Sequence, residues 1–175
     1  GSSREVLPTD VAFTRQVREL ILQRFYVRDG ITYALGFSDG AYFMFNGLIC
    51  EASDVIHGFG MTGGGVTQFQ SASDCSTTQD WTGRPIWAGD GEWDIFTPVT
   101  GDMRQGWSSF STTALGCAPS STYTYTAATY TQYHLYGLLG STNHNVRCTT
   151  YTGGCSATTE YCSYPHVGHT WPPSY

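Results

Sequence analysis

The sequence contains no lysine, and all eight of its basic residues are arginine. Chemistry that needs a lysine amine, such as Schiff-base formation or general-base catalysis by lysine, is therefore excluded. Charged residues make up only 13% of the chain, and they carry a formal net charge of −6 without a basic cluster. Nucleic acid is therefore not expected as a partner. The chain also lacks a run of about eighteen apolar residues, so no membrane-spanning segment is predicted.

The cysteines are the next constraint, because they include no Cys-x-x-Cys pair. Their even number and the scarcity of charge favour disulfide bonds in an oxidising compartment over a metal site. We therefore expect a secreted, extracellular protein with no bound metal. The six cysteines are Cys50, Cys75, Cys117, Cys148, Cys155 and Cys162. Spacing alone does not decide the pairing, but a short separation around a Gly-Gly turn favours Cys155–Cys162. Cys50–Cys75 and Cys117–Cys148 are then the expected remaining pairs.

One short motif carries a candidate nucleophile. Gly36, Ser38 and Gly40 have the spacing Gly-x-Ser-x-Gly, which is the pattern of a nucleophile elbow between a strand and a helix. Glycines on both sides of the serine let the strand and the helix approach closely. The motif is weak by itself, because the chain has 21 glycines. A chance occurrence is the alternative, and the neighbouring elements have to decide between the two.

The apolar patterning predicts alternating helices and strands in a single domain spanning residues 1–175. Helices are expected at 9–25, 40–51 and 102–115, and strands at 31–35, 55–61, 84–88, 147–151 and 158–164. The tract 120–136 fits a strand, a loop or a helix equally well. Residues 31–35 are apolar on both faces, as in the interior of a parallel sheet. The order of elements predicts an α/β fold with a mainly parallel sheet and flanking helices.

A nucleophilic serine needs a base and an acid, and both follow Ser38 at the ends of later predicted strands. The loop 89–98 offers three carboxylates, Asp90, Glu92 and Asp94. The segment 168–172 offers His169. In α/β-hydrolases the three residues follow one another as serine, acid and histidine, which is the order found here.

With these residues, the chain resembles the polyhydroxybutyrate depolymerase and feruloyl esterase group of α/β-hydrolases, which are secreted serine esterases. The tracts 31–41, 50–55, 89–98 and 168–172 carry the resemblance. It implies a partial α/β-hydrolase fold and hydrolysis of carboxylic esters, such as feruloyl or acetyl esters of plant polysaccharides or polyhydroxyalkanoate, without a cofactor. It also implies that Ser38, His169 and Asp94 form the triad.

The resemblance extends to the surroundings of the triad. The backbone N–H of Asp39, the residue after the nucleophile, corresponds to one donor of the oxyanion hole. Independently of the resemblance, Phe37, Trp93 and Trp171 are candidate aromatic residues for contact with the substrate, and filling of the core is the alternative for the two tryptophans. Two departures are visible: the group usually has asparagine where this chain has Asp39, and its acid loop is two residues shorter before Asp94. Asp94 keeps the group's distance to the following Pro98, whereas Glu92 keeps its distance to the preceding Gly89. We favour Asp94 as the acid, and Glu92 is the alternative.

The resemblance covers the C-terminal portion of the esterase domain, from the elbow helix onward. In that group several strands precede this portion, and a loop after one of them supplies the second oxyanion donor. We therefore expect a second chain or segment that supplies the N-terminal strands and covers residues 31–35. A hypothesis of another class is a non-catalytic extracellular structural or carbohydrate-binding subunit that keeps the fold without turnover.

Overall fold

The computed structural model describes residues 8–28, 31–65, 83–97, 104–127, 144–165 and 167–169. Helix α1 is followed by strand β1, and α2, a π-helical segment and α3 then form one continuous helical stretch. The first elements are α1 (Pro8–Arg24), β1 (Tyr33–Phe37), α2 (Asp39–Phe43), the π-helical segment Met44–Leu48 and α3 (Ile49–Glu51). They are followed by β2 (Gly58–Thr62), β3 (Ile86–Gly91), α4 (Arg104–Ser109) with the π-helical segment Phe110–Ala114, β4 (Ala118–Ala127), β5 (His144–Gly153) and β6 (Thr159–Tyr164). No helix in these ranges is long and apolar enough to cross a membrane.

The six strands form one mixed sheet in the order β1-β2-β3-β6-β5-β4. β1, β2, β3 and β6 run parallel to one another, whereas β5 is antiparallel to both β6 and β4. The α/β class is therefore confirmed, and the sheet is parallel over four strands. The antiparallel part arises because a short turn around Gly154, which has a φ of 85°, joins β5 to β6 and reverses the chain.

The predicted elements are present with shifted ends. The strand expected at 31–35 lies at Tyr33–Phe37, and the strand expected at 84–88 extends to Gly91. The tract 120–136, for which three structures were open, is the strand β4 over its described part, and residues 128–136 lie outside the described ranges. The shifts occur because the ends of parallel strands are set by their neighbours in the ladder, which the local apolar pattern does not contain.

The main hydrophobic core lies between one face of the sheet and the helices. Side chains from α2 through α3 pack on β2 and β3, and those of α4 pack beside them. Its larger members are Met44, Phe45, Leu48, Ile49, Phe59, Met61, Ile86, Trp107, Phe110 and Tyr161. A second, smaller cluster on the opposite face joins β5, β6 and the segment that leads to His169. Both cores therefore anchor the carboxyl ends of the parallel strands, where the candidate site residues lie.

The first strand of the chain lies at the edge of the sheet. Within the described ranges β1 pairs with β2 alone, although its apolar sequence is typical of an interior strand. Leu35 is 70% exposed and Tyr33 is 63% exposed. They border a groove of about 410 Å³ that extends across Gly60 to Trp87 on the face opposite the helices. The strand therefore has the sequence of an interior position and the surroundings of an edge.

Among the residues that the structure describes, helix α1 makes few contacts with the rest of the fold. Val11 is its buried residue, and Arg15 forms an ion pair with Asp54, with Nη2 and Oδ1 2.5 Å apart. Most of its large apolar side chains are exposed, and Phe13 for example keeps 65% of its surface accessible. The other exposed large apolar residues of this segment are Val17, Leu20, Ile21 and Phe25. An exposed apolar stripe of this kind is typical of a surface that contacts another protein segment.

The disulfide pairing differs from the expected one. Cys117 is bonded to Cys155, and Cys148 is bonded to Cys162, so the predicted pairs Cys155–Cys162 and Cys117–Cys148 are wrong. Cys148 and Cys162 are direct neighbours in the register of β5 and β6, whereas Cys155 lies in the connection between these strands. Cys155 therefore has no register partner in β6. It bonds instead to Cys117, the residue directly before β4.

Cys75, the expected partner of Cys50, lies outside the described residues. Cys50 is itself disulfide-bonded. The sulfur atoms of Cys148 and Cys162 lie close to the carboxylate of Glu160. Since both sulfurs are committed to a disulfide, this group of side chains does not offer thiolate ligands to a metal.

Candidate active site

Ser38 lies at a sharp turn between β1 and α2. Its φ of 54° and ψ of −117° make it the one non-glycine residue with a positive φ in the part of the chain that the structure describes. Such a conformation is strained for a residue with a Cβ and persists where surrounding contacts hold it. Those contacts are backbone hydrogen bonds: the Ser38 N–H donates to the carbonyl of Thr62, and the N–H of Ala41 donates to the carbonyl of Ser38. The predicted elbow is thus a strained turn that connects a strand to a helix.

The two glycines of the motif have different roles. A Cβ on Gly36 would lie 2.5 Å from the carbonyl oxygen of Gly40 and 2.7 Å from Sδ of Met44. A Cβ on Gly40 would have no atom within 4 Å. The expectation that both flanking glycines permit the close approach of strand and helix is therefore wrong for Gly40. At the first position the absence of a side chain is required, and at the second it is not.

The loop after β3 is held against the segment that carries the histidine. The N–H of Trp93 donates to the carbonyl of Val167 at 2.9 Å, and the N–H of Glu92 donates to the carbonyl of Tyr164 at 2.9 Å. A Cβ on Gly91 would overlap the carbonyl oxygen of Val167, so the two segments cross in direct backbone contact. This crossing brings residues that are 75 positions apart in the sequence to hydrogen-bond distance.

The three predicted residues form one chain of hydrogen bonds. His169 Nδ1 is 2.7 Å from Oδ2 of Asp94, and His169 Nε2 is 2.9 Å from Oγ of Ser38. An ionised carboxylate can only accept, so Nδ1 carries the proton and donates to Asp94. Nε2 is then the acceptor for the hydroxyl proton of Ser38. This tautomer is the one in which a histidine can remove a proton from a serine.

Asp94 is surrounded by donors that favour its charged form. Burial opposes ionisation, because the residue is 3% exposed. However, the hydroxyl and N–H of Thr97, the His169 ring and the N–H of Phe96 all donate to its carboxylate, and together they hold its pKa below the usual range. The Thr97 hydroxyl is 2.5 Å from Oδ2, the same oxygen that His169 contacts. Asp94 is therefore an anion at neutral pH. Glu92, the alternative acid, is exposed, and its backbone N–H donates to the carbonyl of Tyr164.

Aromatic rings enclose the histidine from two sides. The Phe37 ring lies 4.8 Å from the imidazole centroid, and the Phe96 ring lies 5.1 Å from it in an edge-on orientation. These rings fix the plane of the imidazole and limit its access to water. Trp93 is 49% exposed, and Trp171 lies outside the described residues. Of the three aromatic residues expected at the site, Phe37 is thus in contact with a triad member.

No family model, curated protein or solved structure matches this chain.

Three supporting residues were not identified from the sequence. Thr97 and Phe96 support the acid and the base, and Gly63 lies against the ring edge of His169, where a Cβ would be 3.3 Å from Cε1. The turn that brings Thr97 to the acid has a local signal, because an aspartate side chain commonly accepts hydrogen bonds from backbone N–H groups that follow it closely in the sequence. Phe96 and Gly63 carry no comparable signal, since their contacts with His169 arise from the crossing of distant segments.

Proposed function

We propose that this protein is a serine hydrolase of carboxylic esters. The observation that carries the proposal is the hydrogen-bonded chain from Ser38 Oγ through His169 to the buried carboxylate of Asp94. Each member has the environment its role needs: a strained, raised serine, an imidazole held in one tautomer, and a charged acid that is stabilised by additional donors. The same three groups in this arrangement activate serine on several unrelated folds.

In the proposed reaction the Ser38 oxygen attacks the ester carbonyl while His169 Nε2 takes the hydroxyl proton. Asp94 stabilises the imidazolium that forms. The backbone N–H of Asp39, at the start of α2, donates to the oxyanion of the tetrahedral intermediate. The intermediate collapses to an acyl-enzyme, and His169 passes the proton to the alcohol that leaves. Water, deprotonated by the same histidine, then attacks the acyl group and releases the acid and Ser38.

The proposed substrates are those that the family resemblance implies: feruloyl or acetyl esters of plant polysaccharides, or polyhydroxyalkanoate. The aromatic residues beside His169, Phe37 and Phe96, offer a surface on which an aromatic or short aliphatic acyl group can pack. Secretion belongs to the same proposal, and the disulfides Cys117–Cys155 and Cys148–Cys162 are compatible with it.

We also propose that a second chain or segment covers β1. Its backbone edge, together with the exposed Leu35 and Tyr33 and the nearby groove, would accept a further strand and its side chains. The chain alone is therefore expected to self-associate, and Leu35→Lys should reduce this because a charge on an edge strand disfavours pairing. Light scattering on the two proteins measures the effect. A monodisperse wild-type monomer with full esterase activity would refute the proposal of a covering segment.

A fluorophosphonate probe tests the proposed reaction directly, because it bonds covalently to an activated serine. Wild-type protein should be labelled once per chain, and peptide mapping should locate the label on Ser38. Ser38→Ala should abolish labelling, while Ser121→Ala, which removes an exposed serine of β4, should leave it intact. Absence of labelling in folded wild-type protein would refute the esterase and favour the non-catalytic subunit.

A further inference from the structure

A second acid lies buried beneath the candidate site without the partners that Asp94 has. Asp90 is the penultimate residue of β3, and its side chain is 1% exposed on the helix-covered face of the sheet. Among the described residues neither of its carboxylate oxygens has a hydrogen-bond partner. An unpaired buried carboxylate is strongly disfavoured, so such a group keeps its proton instead. The reaction proposed above does not use Asp90.

The groups around Asp90 favour the neutral form. Burial, followed by the negative charge of Asp94, raises its pKa from 3.8 to about 7. The N–H groups of Gly63 and Gly64 and the hydroxyl of Tyr161 act in the opposite direction, but they approach the carboxyl without reaching hydrogen-bond geometry. Arg147 belongs to the same row of residues across the sheet, because Ser163 is the register partner of both Arg147 and Asp90. It is two strands away and exposed, so it does not neutralise the acid.

The loop next to Asp90 also touches the proposed nucleophile and base. The backbone at Gly63 and Gly64 follows β2, and its N–H groups lie near the Asp90 carboxyl. On its other side, a Cβ on Gly64 would lie 2.7 Å from the carbonyl oxygen of Ser38, and a Cβ on Gly63 would lie 3.3 Å from Cε1 of His169. One layer of backbone therefore separates the buried acid from both residues.

We infer that Asp90 is a positioning residue whose buried, uncharged carboxyl group packs beneath the Gly63–Gly64 backbone and so holds that backbone against Ser38 and His169. This inference rests on the proposed esterase function. Asp90 is too deeply buried to contact a substrate, so it acts on the rate of acylation and not on substrate binding. When Asp90 ionises, a second negative charge forms next to Asp94, and the support of the loop changes. The alignment of Ser38 with His169 then depends on the protonation of a residue outside the triad.

The test compares three variants by the rate of fluorophosphonate labelling between about pH 5 and pH 9, a range chosen to bracket the titration of buried carboxyl groups and histidine. Asp90→Ala removes the support, Asp90→Asn replaces it by a neutral group of the same shape, and Ile86→Val is a control on the same face at the other end of β3. All rates are measured well below the unfolding temperature of each variant, with the folded fraction checked by circular dichroism.

Asp90→Ala is expected to label about 10- to 100-fold more slowly than wild type, because small displacements of reacting groups reduce rates by this order. Asp90→Asn should restore much of that loss and should lack the part of the wild-type pH profile that Asp90 contributes near neutrality. Ile86→Val should label like wild type. A wild-type labelling rate in Asp90→Ala would overturn the inference. Identical pH profiles for wild type and Asp90→Asn would overturn it too, and this comparison is sufficient by itself if Asp90→Ala does not fold. Absence of labelling in wild type itself would instead refute the esterase and this inference with it.

Discussion

Alanine at the two glycines of the elbow motif is expected to have opposite effects. At Gly36 the new Cβ would lie 2.5 Å from the oxygen and 2.6 Å from the carbon of the Gly40 carbonyl. Both atoms belong to the backbone of α2, so the helix has to move away from β1. Met44, whose Sδ would be 2.7 Å away, is flexible and contributes less. Overpacking of this kind costs roughly 1–3 kcal/mol, and more when the backbone resists.

At Gly40 the new Cβ would enter open space within a helix, because no atom lies within 4 Å of it. Alanine is favoured over glycine inside a helix by roughly 0.5–1 kcal/mol. For a protein of this size one kcal/mol shifts the melting temperature by about 2–4 °C. Gly36→Ala should therefore melt roughly 2–12 °C below wild type, and Gly40→Ala should melt roughly 1–4 °C above it.

Thermal unfolding followed by circular dichroism, together with urea titration, measures both changes. The fluorophosphonate rate gives a second readout, since movement of α2 displaces Ser38 from its position 2.9 Å from His169 Nε2. Gly36→Ala should label more slowly at a temperature where it is fully folded, and Gly40→Ala should not. Equal melting temperatures for the two variants, or a lower one for Gly40→Ala, would refute the reasoning.

The other predictions concern the acids and the hairpin disulfide. Asp94→Asn should reduce the turnover of an ester by about four orders of magnitude, because it stabilises the wrong histidine tautomer. Glu92→Gln should have little effect, because Glu92 is exposed. The reverse ranking in ester hydrolysis would move the acid role to Glu92. Replacing both Cys148 and Cys162 by serine should lower the free energy of unfolding by about 3 kcal/mol. The reason is that their disulfide joins residues 14 positions apart and so restricts the unfolded chain. Peptide mapping that recovers a different partner for either cysteine would contradict this pairing. Asp90 keeps its proton in the folded protein up to a pKa of about 7, against 3.8 ordinarily, so unfolding releases a proton between these values and stability falls as pH rises through this window. Urea titrations should show this decline in wild type and not in Asp90→Asn, and parallel curves for the two would contradict it.

Stability should also depend on Asp94, with the opposite sign. Its folded-state pKa lies below the usual range, so its contribution is present at neutral pH and is lost as pH falls through that lowered value. The two acids therefore define a pH dependence with separate causes at its two ends. Asp94, whose carboxylate accepts several hydrogen bonds, favours the folded state when it is charged. Asp90, which is buried without such bonds, favours the folded state when it is neutral.

The sequence by itself determined the features that depend on neighbouring residues. The Gly-x-Ser-x-Gly pattern between an apolar strand and an apolar helix predicted the turn at Ser38, because such a turn is built from five consecutive residues. The order of serine, acid and histidine followed from the placement of Asp94 and His169 after later strands, since the carboxyl ends of parallel strands meet at one edge of a sheet. The α/β class followed from the alternation of helical and strand patterns.

Only the tertiary structure decided the features that depend on distant contacts. The hydrogen bond between Asp94 and His169 depends on the crossing of the acid loop with the segment before His169. The disulfides depend on the register of β5 and β6, which places Cys148 opposite Cys162. The unequal roles of the two elbow glycines depend on the angle at which α2 leaves β1, and the neutral state of Asp90 depends on burial by strands far apart in the sequence. A local pattern specifies backbone conformation and which side of an element is apolar, whereas the neighbours of each side chain are set by the packing of the whole chain.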